Sequence, residues 1–149
     1  MTGEKKVMGR KRVIVVDTEG TLLSVVVVAA DTSDVACGLT VLKIARWRYP
    51  RIERVWVDAG FSGEGFARAV EQLSRCRPEV EVVKRAEGTV GFVIQPRRWV
   101  VERTFGWQGR ERWLSREYGR LPESSEACIY LASIRRNLRR LAHHFSAQL

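Results

Sequence analysis

The sequence predicts an α/β domain in which helices flank a mixed β-sheet and the chain ends in two long basic helices. Short β-branched runs alternate with segments of helical spacing, in the order β, β, α, β, α, β, α, α. With 149 residues, 45% hydrophobic and 29% charged, the chain has the size and composition of one domain. We therefore treat residues 1–149 as a single domain, with residues 1–12 as a basic arm.

Two strands are predicted to open the domain. Residues 13–16 and 22–28 are runs of mostly β-branched residues, and residues 17–21, Asp-Thr-Glu-Gly-Thr, have the composition of a turn. This pattern indicates an antiparallel hairpin. Residues 31–34 then offer several helix caps, and the helical spacing that follows continues until Pro50, which predicts the first helix.

The middle of the chain places a carboxylate at the end of a strand. Residues 52–57 alternate apolar and charged side chains and lead directly into Asp58 and a tight glycine turn. In open α/β sheets, chemistry gathers at the carboxyl ends of strands. Ser62 can cap the next helix, and residues 80–83 predict another short strand. The apolar face of that helix carries Phe66, Ala69, Val70 and Leu73.

Two helices are predicted for the last third of the chain. The first spans about residues 97–118, and the second runs from Pro122 to about Phe145. Apolar residues recur in the second helix at intervals of three or four, which predicts a buried stripe with arginines facing solvent. The stripe comprises Ala127, Leu131, Ile134, Leu138, Leu141 and Phe145, and the arginines are Arg135, Arg136, Arg139 and Arg140.

Charge makes nucleic acid the leading partner. The formal net charge is +9, and residues 97–149 contain eleven arginines against five acids. Arginine binds phosphate in a bidentate manner, and these arginines are interleaved with Trp99, Trp107 and Trp113. The alternative is a solvated arginine-rich surface with tryptophans that fill the core.

Other classes of protein are disfavoured. No apolar run approaches the roughly 20 residues that cross a bilayer, and no secretory signal follows the basic start. We therefore expect a cytoplasmic protein that neither spans nor binds a membrane. Cys37, Cys76 and Cys128 are odd in number and widely spaced. This spacing favours reduced core cysteines over disulfides or a zinc site.

Two carboxylates stand where carboxylates are unexpected: Asp58 at the strand end, and Glu102 within an apolar and cationic run. In the structural interpretation, Asp58 caps the next turn and Glu102 pairs with Arg98 or Arg103 on its own helix. In the functional interpretation, both supply hard oxygen ligands to Mg²⁺ beside a phosphodiester.

Three ordered blocks carry a family resemblance. Residues 9–20 begin Gly-Arg-Lys-Arg, residues 57–63 read Val-Asp-Ala-Gly-Phe-Ser-Gly, and residues 96–107 include Trp-Val-Val-Glu-Arg-Thr-Phe-Gly-Trp. Together with residues 114–118 and 123–127, these blocks resemble the C-terminal portion of bacterial insertion-sequence transposases of the DDE type. An ordered set of blocks is more specific than any single motif.

The resemblance implies an RNase H-like fold in which three acids hold two divalent ions, Mg²⁺ or Mn²⁺. It also implies cleavage and transfer of double-stranded DNA at the ends of a mobile element, with a homodimer as one assembly that it allows. Asp58 matches the second acid of the family and Glu102 the third, and Arg98 matches an arginine that holds phosphate or orients the glutamate. The basic residues expected to bind DNA are Lys11, Arg12, Arg97, Arg98, Arg103 and Arg110.

The sequence also departs from the family pattern. The first acid belongs to a strand upstream of residue 9, and we expect both that strand and that acid to be missing. Asp17 falls in the following hairpin, where its expected role is to shape the turn. Gln95 and Gly109 replace a tyrosine and a lysine of the family.

The leading hypothesis is therefore a truncated or frameshift-separated part of a transposase, inactive by itself. The alternative is a catalytically inactive DNA-binding remnant. A nuclease acting on RNA is a third hypothesis, which the block at residues 99–107 disfavours.

Overall fold

The computed structural model describes residues 9–61, 64–73, 78–83, 96–116 and 119–147, with the side chains of residues 64 and 96–98 left out. The elements in these ranges follow the predicted order, so the mixed α/β class is confirmed. The strands are β1 (Arg10–Val16), β2 (Leu22–Ala29), β3 (Arg54–Asp58) and β4 (Glu79–Val83), and the helices are α1 (Asp34–Arg48), α2 (Glu64–Gln72), α3 (Pro96–Gly109) and α4 (Pro122–Ser146). A 3₁₀ turn, Ala59–Phe61, follows β3.

The described strands form two small sheets. β1 and β2 pair antiparallel, which confirms the hairpin, and β3 and β4 pair parallel. The hairpin begins three residues earlier than predicted, at Arg10, which pairs with Ala29. Pairing to the long β2 extends the strand into residues 10–12, so the prediction of an arm up to residue 12 is wrong at that end. Residues 1–8 of the predicted arm lie outside the described part.

The side chain of Asp17 shapes the turn of the hairpin, as predicted. Its Oδ1 accepts hydrogen bonds from the backbone N–H groups of Glu19, at 2.9 Å, and Thr21, at 2.8 Å. Gly20 completes the turn with a φ of 83°, a conformation that glycine adopts without steric cost. Asp17 thus closes a local Asx-type turn.

Strand β2 is buried between two helices. On one side, Val25 and Val27 pack against Ile129 of α4, which is fully buried. On the other side, the Ser24 hydroxyl donates to the carbonyl of Val41 in α1 at 2.9 Å. Helix α1 also contributes to a second core cluster, in which Leu42 packs with Phe66 and Val70 of α2 and with residues of β3. Burial of Phe66 and Val70 confirms the predicted apolar face of α2.

Helix α3 ends at Gly109, well before the predicted end at residue 118. Hydrogen-bonded turns follow, from Arg110 N–H to the Trp107 carbonyl and from Leu114 N–H to the Glu111 carbonyl. Glycine is a poor helix former, and the turns bring Leu114 into the core beside β2. The chain therefore leaves the helix after Gly109, and the turns that follow bury Leu114.

Helix α4 has the predicted bounds but the opposite orientation about its axis. Its inner face, spaced at helical intervals, consists of Ser125, Ile129, Ala132 and Arg136. The predicted stripe is displaced from that face by two residues, or about 200° around the helix. Its large members are 53% to 65% exposed, so the prediction that this stripe packs into the core is wrong.

Contacts with β2 and α3 set this orientation. The Glu126 carboxylate accepts a hydrogen bond from the backbone N–H of Val27 at 2.8 Å. The Arg136 guanidinium lies 3.9 Å from the centre of the Trp107 ring, so this arginine is packed against the domain, contrary to the predicted solvent-facing position.

Two further predictions concern membranes and cysteines. Among the described residues, no helix is long and apolar enough to span a membrane. Cys37 is buried and Cys128 is half-buried, and both are free thiols, in accord with the prediction of reduced cysteines. Cys76 lies outside the described residues.

Candidate active site

A cleft of about 910 Å³ separates the two sheets. Residues 11–17 of β1 and its turn line one side, and residues 52–58 line the other. Because successive side chains of a strand point to opposite faces, contact with every residue in a run means that the strand borders the cleft by its edge. The cleft therefore lies between the edges of β1 and β3, and helices α1 and α3 contribute most of the remaining lining.

Asp58 and Glu102 both line this cleft. Asp58 is the last residue of β3, as the pattern of residues 52–57 predicts, and it is exposed. Its Oδ1 accepts a hydrogen bond from the Ala59 N–H at 2.7 Å, where the 3₁₀ turn starts. This contact is the turn cap of the structural interpretation, and it leaves Asp58 on the cleft wall.

Glu102 lies in the middle of α3 and is also exposed. The neighbouring Val101 and Phe105 line the same cleft, so this side of α3 faces the edges of β1 and β3. Tertiary structure thus brings to one cleft two carboxylates that are far apart in the sequence. Asp17, Asp34 and Glu53 also line it, and the last two were not singled out from the sequence, because neither stands in an unusual local context.

The donor set suits a hard divalent cation in part. Carboxylate oxygens are the ligands that Mg²⁺ prefers, and Mg²⁺ is commonly held by one or two carboxylates together with water and substrate phosphate. Asp58 and Glu102 can supply such a pair. No group of three His, Cys, Asp or Glu side chains in the described ranges is arranged to hold a metal.

Lys11 and Arg12, both predicted to bind DNA, make contacts within the chain. The Lys11 ammonium forms an ion pair with Asp34 at 2.6 Å and donates to the Thr32 carbonyl. The hydrogen bond that Lys11 donates to the Asp34 carboxylate raises the pKa of Lys11 above its ordinary value. Arg12 donates to the Leu114 carbonyl at 2.8 Å. Both residues line the same cleft as Asp58 and Glu102.

Arg103 belongs to a stack around Trp107. Its guanidinium lies 4.8 Å from the centre of the ring and donates to the Glu19 carbonyl at 3.0 Å. Arg136 approaches the same ring, and desolvation, followed by the charges of Arg140 and Arg103, lowers the pKa of Arg136. Trp107 thereby joins α3 to α4.

Of the remaining residues predicted to bind DNA, the structure describes the side chain of Arg110 alone. Arg110 is exposed at the end of α3. The side chains of Arg97 and Arg98 lie outside the described part. Trp99 is 41% exposed and Trp113 is 67% exposed, so neither tryptophan fills the core.

A carboxylate at a strand end and a second carboxylate on a helix, both on one cleft of an α/β domain, are typical of enzymes that bind divalent metals beside phosphate. The chain matches the family model of the transposase DDE domain over residues 1–138. Because the match covers most of the chain, the protein belongs to this transposase family, whose members are enzymes of DNA transposition. No curated protein and no solved structure shows a match.

Proposed function

We propose that the chain is the C-terminal part of an RNase H-like catalytic domain from a bacterial insertion-sequence transposase. It would contribute to the cleavage and transfer of double-stranded DNA at element ends, in the cytoplasm. The observation that carries this proposal is that Asp58 and Glu102, the residues matched to two acids of the family, line the same cleft.

In this proposal Asp58 and Glu102 hold Mg²⁺ or Mn²⁺. The bound ion would supply activation of the attacking hydroxyl or water and stabilisation of the leaving oxygen. Lys11 and Arg12 border the cleft and would attract the DNA backbone towards the two carboxylates. Arg97 and Arg98, at the start of α3, would bind the phosphate next to Glu102.

We further propose that the working domain contains one more strand, placed in the cleft between β1 and β3. The cleft is bordered by the edges of two strands, which offer backbone groups for pairing with a further strand. That strand would carry the third acid, so residues 1–149 alone would bind metal weakly and would not cleave DNA.

The test is metal binding by the purified chain, followed with Mn²⁺ by electron paramagnetic resonance. We expect Asp58→Asn and Glu102→Gln each to weaken Mn²⁺ binding by about tenfold or more, because each change removes a charged ligand. Glu123→Gln, at an exposed glutamate in the first turn of α4, is the matched control and should leave binding unchanged. Equal Mn²⁺ binding by all four proteins would refute the metal site.

Cleavage of plasmid DNA tests the proposed inactivity. We expect the unmodified chain to give no cleavage with Mg²⁺ or Mn²⁺. Cleavage that is lost in Asp58→Asn would show that these residues suffice for activity, and it would remove the need for a further strand.

A second candidate is the catalytically inactive DNA-binding remnant. The observation in its favour is that the described residues contain no group of three metal-ligating side chains. The DNA affinity of such a remnant would change neither on addition of Mn²⁺ nor in the Asp58→Asn variant. The transposase part, in contrast, would bind Mn²⁺ through Asp58.

A further inference from the structure

Helix α3 contacts two different parts of the domain with two different faces. Glu102 lies on the face that lines the cleft. Thr104 and Trp107 lie on the face that packs on the hairpin turn, where a Cβ atom at Gly20 would approach the Trp107 ring to 3.2 Å. Successive residues of an α-helix are about 100° apart around its axis. The packing of α3 on the turn therefore sets the direction in which Glu102 points.

The hairpin turn offers two backbone carbonyl groups to α3. The Glu19 carbonyl accepts a hydrogen bond from the Arg103 guanidinium at 3.0 Å. The Gly20 carbonyl accepts one from the Thr104 hydroxyl at 3.2 Å. Arg103 and Thr104 are the two residues that directly follow Glu102. A change in these contacts would therefore be transmitted to Glu102 within a single turn of helix.

The stack around Trp107 reinforces this attachment. The guanidinium groups of Arg103 and Arg136 lie 4.8 Å and 3.9 Å from the centre of the Trp107 ring. A guanidinium close to an aromatic ring is attracted by the negative charge of its π system, and the attraction grows when water is partly excluded. Arg136 also donates to the Gly20 carbonyl, so α4 holds the ring and the turn together.

The positive charges at this turn are partly compensated within the chain. Arg140 forms an ion pair with the Glu19 carboxylate. Desolvation, followed by the charges of Arg140 and Arg103, lowers the pKa of Arg136, and the charge of Asp17 opposes this shift. The turn thus supplies two carboxylates as well as two carbonyl groups, which allows several arginines to gather there.

We propose that Arg103 is a positioning residue for Glu102. Through the Trp107 ring and the Glu19 carbonyl it would hold α3 on the hairpin turn, with Glu102 directed at the cleft. This role rests on the proposed metal-binding function of Glu102. It differs from DNA binding, because the guanidinium acts on the helix that carries it.

Mn²⁺ binding, followed by electron paramagnetic resonance, tests the proposal. We expect Arg103→Met to weaken binding by about tenfold, as loss of a group that orients a metal ligand does. Loss of a nearby positive charge would by itself strengthen cation binding, so electrostatics predicts the opposite sign. Arg112→Met is the matched control, because it removes the same charge at an exposed arginine. Equal or stronger Mn²⁺ binding in Arg103→Met, or equal weakening in both variants, would overturn the proposal.

A double-mutant cycle shows whether Arg103 acts through Glu102. In a chain that already carries Glu102→Gln, we expect Arg103→Met to have no further effect on Mn²⁺ affinity. Trp107→Phe keeps an aromatic ring and should retain most of the affinity, whereas Trp107→Leu should lose it. Circular dichroism establishes that each variant is folded. An effect of Arg103→Met that persists undiminished beside Glu102→Gln would contradict the positioning role.

Amide hydrogen exchange supplies a readout without metal. Arg103→Met should speed the exchange of the amides of residues 102–106 by about tenfold, because the helix loses its attachment to the turn. Unchanged protection would refute the attachment, whatever the metal measurements give. Faster exchange combined with Mn²⁺ binding that is indifferent to Glu102→Gln would refute the metal site itself. The contact would then be structural only, and the positioning role would be wrong.

Discussion

Gly20 is the residue at which the hairpin meets both C-terminal helices. Its carbonyl accepts hydrogen bonds from the Thr104 hydroxyl of α3, at 3.2 Å, and from the Arg136 guanidinium of α4. A Cβ atom at this position would lie 2.8 Å from Thr104 Oγ1 and 3.2 Å from the Trp107 ring. Both the positive φ and this close approach require the absence of a side chain.

We expect Gly20→Ala to lower the free energy of unfolding by about 1–3 kcal/mol, because it adds strain at positive φ and steric overlap with α3. Urea unfolding followed by circular dichroism measures the change. Gly106→Ala is the matched control, since Gly106 lies in α3 with open space around it. That control should stabilise the chain by about 0.5–1 kcal/mol through helix propensity, and destabilisation of similar size in both variants would contradict the argument.

At the scale of elements, α4 lies against the edge of β2 that pairs with no other strand among the described residues. Backbone groups on the edge of β2 opposite β1 could pair with a strand of another chain if nothing covered them. The Glu126 carboxylate occupies one of them by accepting from the Val27 N–H. The same contact, together with Ile129 in the core and Arg136 against Trp107, orients α4 on the sheet.

We expect Glu126→Ala to cost about 1–3 kcal/mol in the free energy of unfolding, because a partly buried backbone donor loses its partner. Glu126→Gln keeps an oxygen acceptor and should recover most of the loss. Glu123→Ala, at the exposed glutamate one turn earlier, should change stability by less than about 0.5 kcal/mol. Denaturant unfolding of the three variants tests this, and equal losses at both positions would show that the contact has no stabilising role.

At the scale of the whole molecule, the net charge of +9 and the arginine-rich C-terminal third favour binding to DNA. Several of these arginines also hold the fold together, because Arg103 and Arg136 pack around Trp107. The number of phosphates neutralised must therefore be smaller than the count of basic residues. Exposed arginines such as Arg110 are the better candidates for DNA contact.

We expect binding to an arbitrary DNA duplex to weaken steeply as salt rises. Arg110→Ala should weaken binding to all sequences alike and reduce the slope of log affinity against log salt by about 1. Lys43→Ala, at an exposed lysine of α1 on the other side of β2, is the matched control. Fluorescence anisotropy at several salt concentrations measures the slope, and an unchanged slope in Arg110→Ala would exclude that contact.

Local sequence patterns were sufficient for the order of the elements, the hairpin turn and the position of Asp58 at a strand end. These features depend on neighbouring residues: β-branched runs form strands, and Asp17 and Gly20 form the turn. The end of α3 and the orientation of α4 could not be obtained in this way. They depend on contacts from Leu114 and Glu126 to β2, which lies far away in the sequence.

The sequence by itself determined the family, the α/β class and the two carboxylates proposed as the site, because ordered motifs and local propensities are properties of the chain. Only the tertiary structure decided that Asp58 and Glu102 line one cleft, that this cleft lies between two strand edges, and that the larger apolar stripe of α4 faces outward. Periodicity shows that a helix has an apolar face, but a helix with two such faces is oriented by packing against its neighbours.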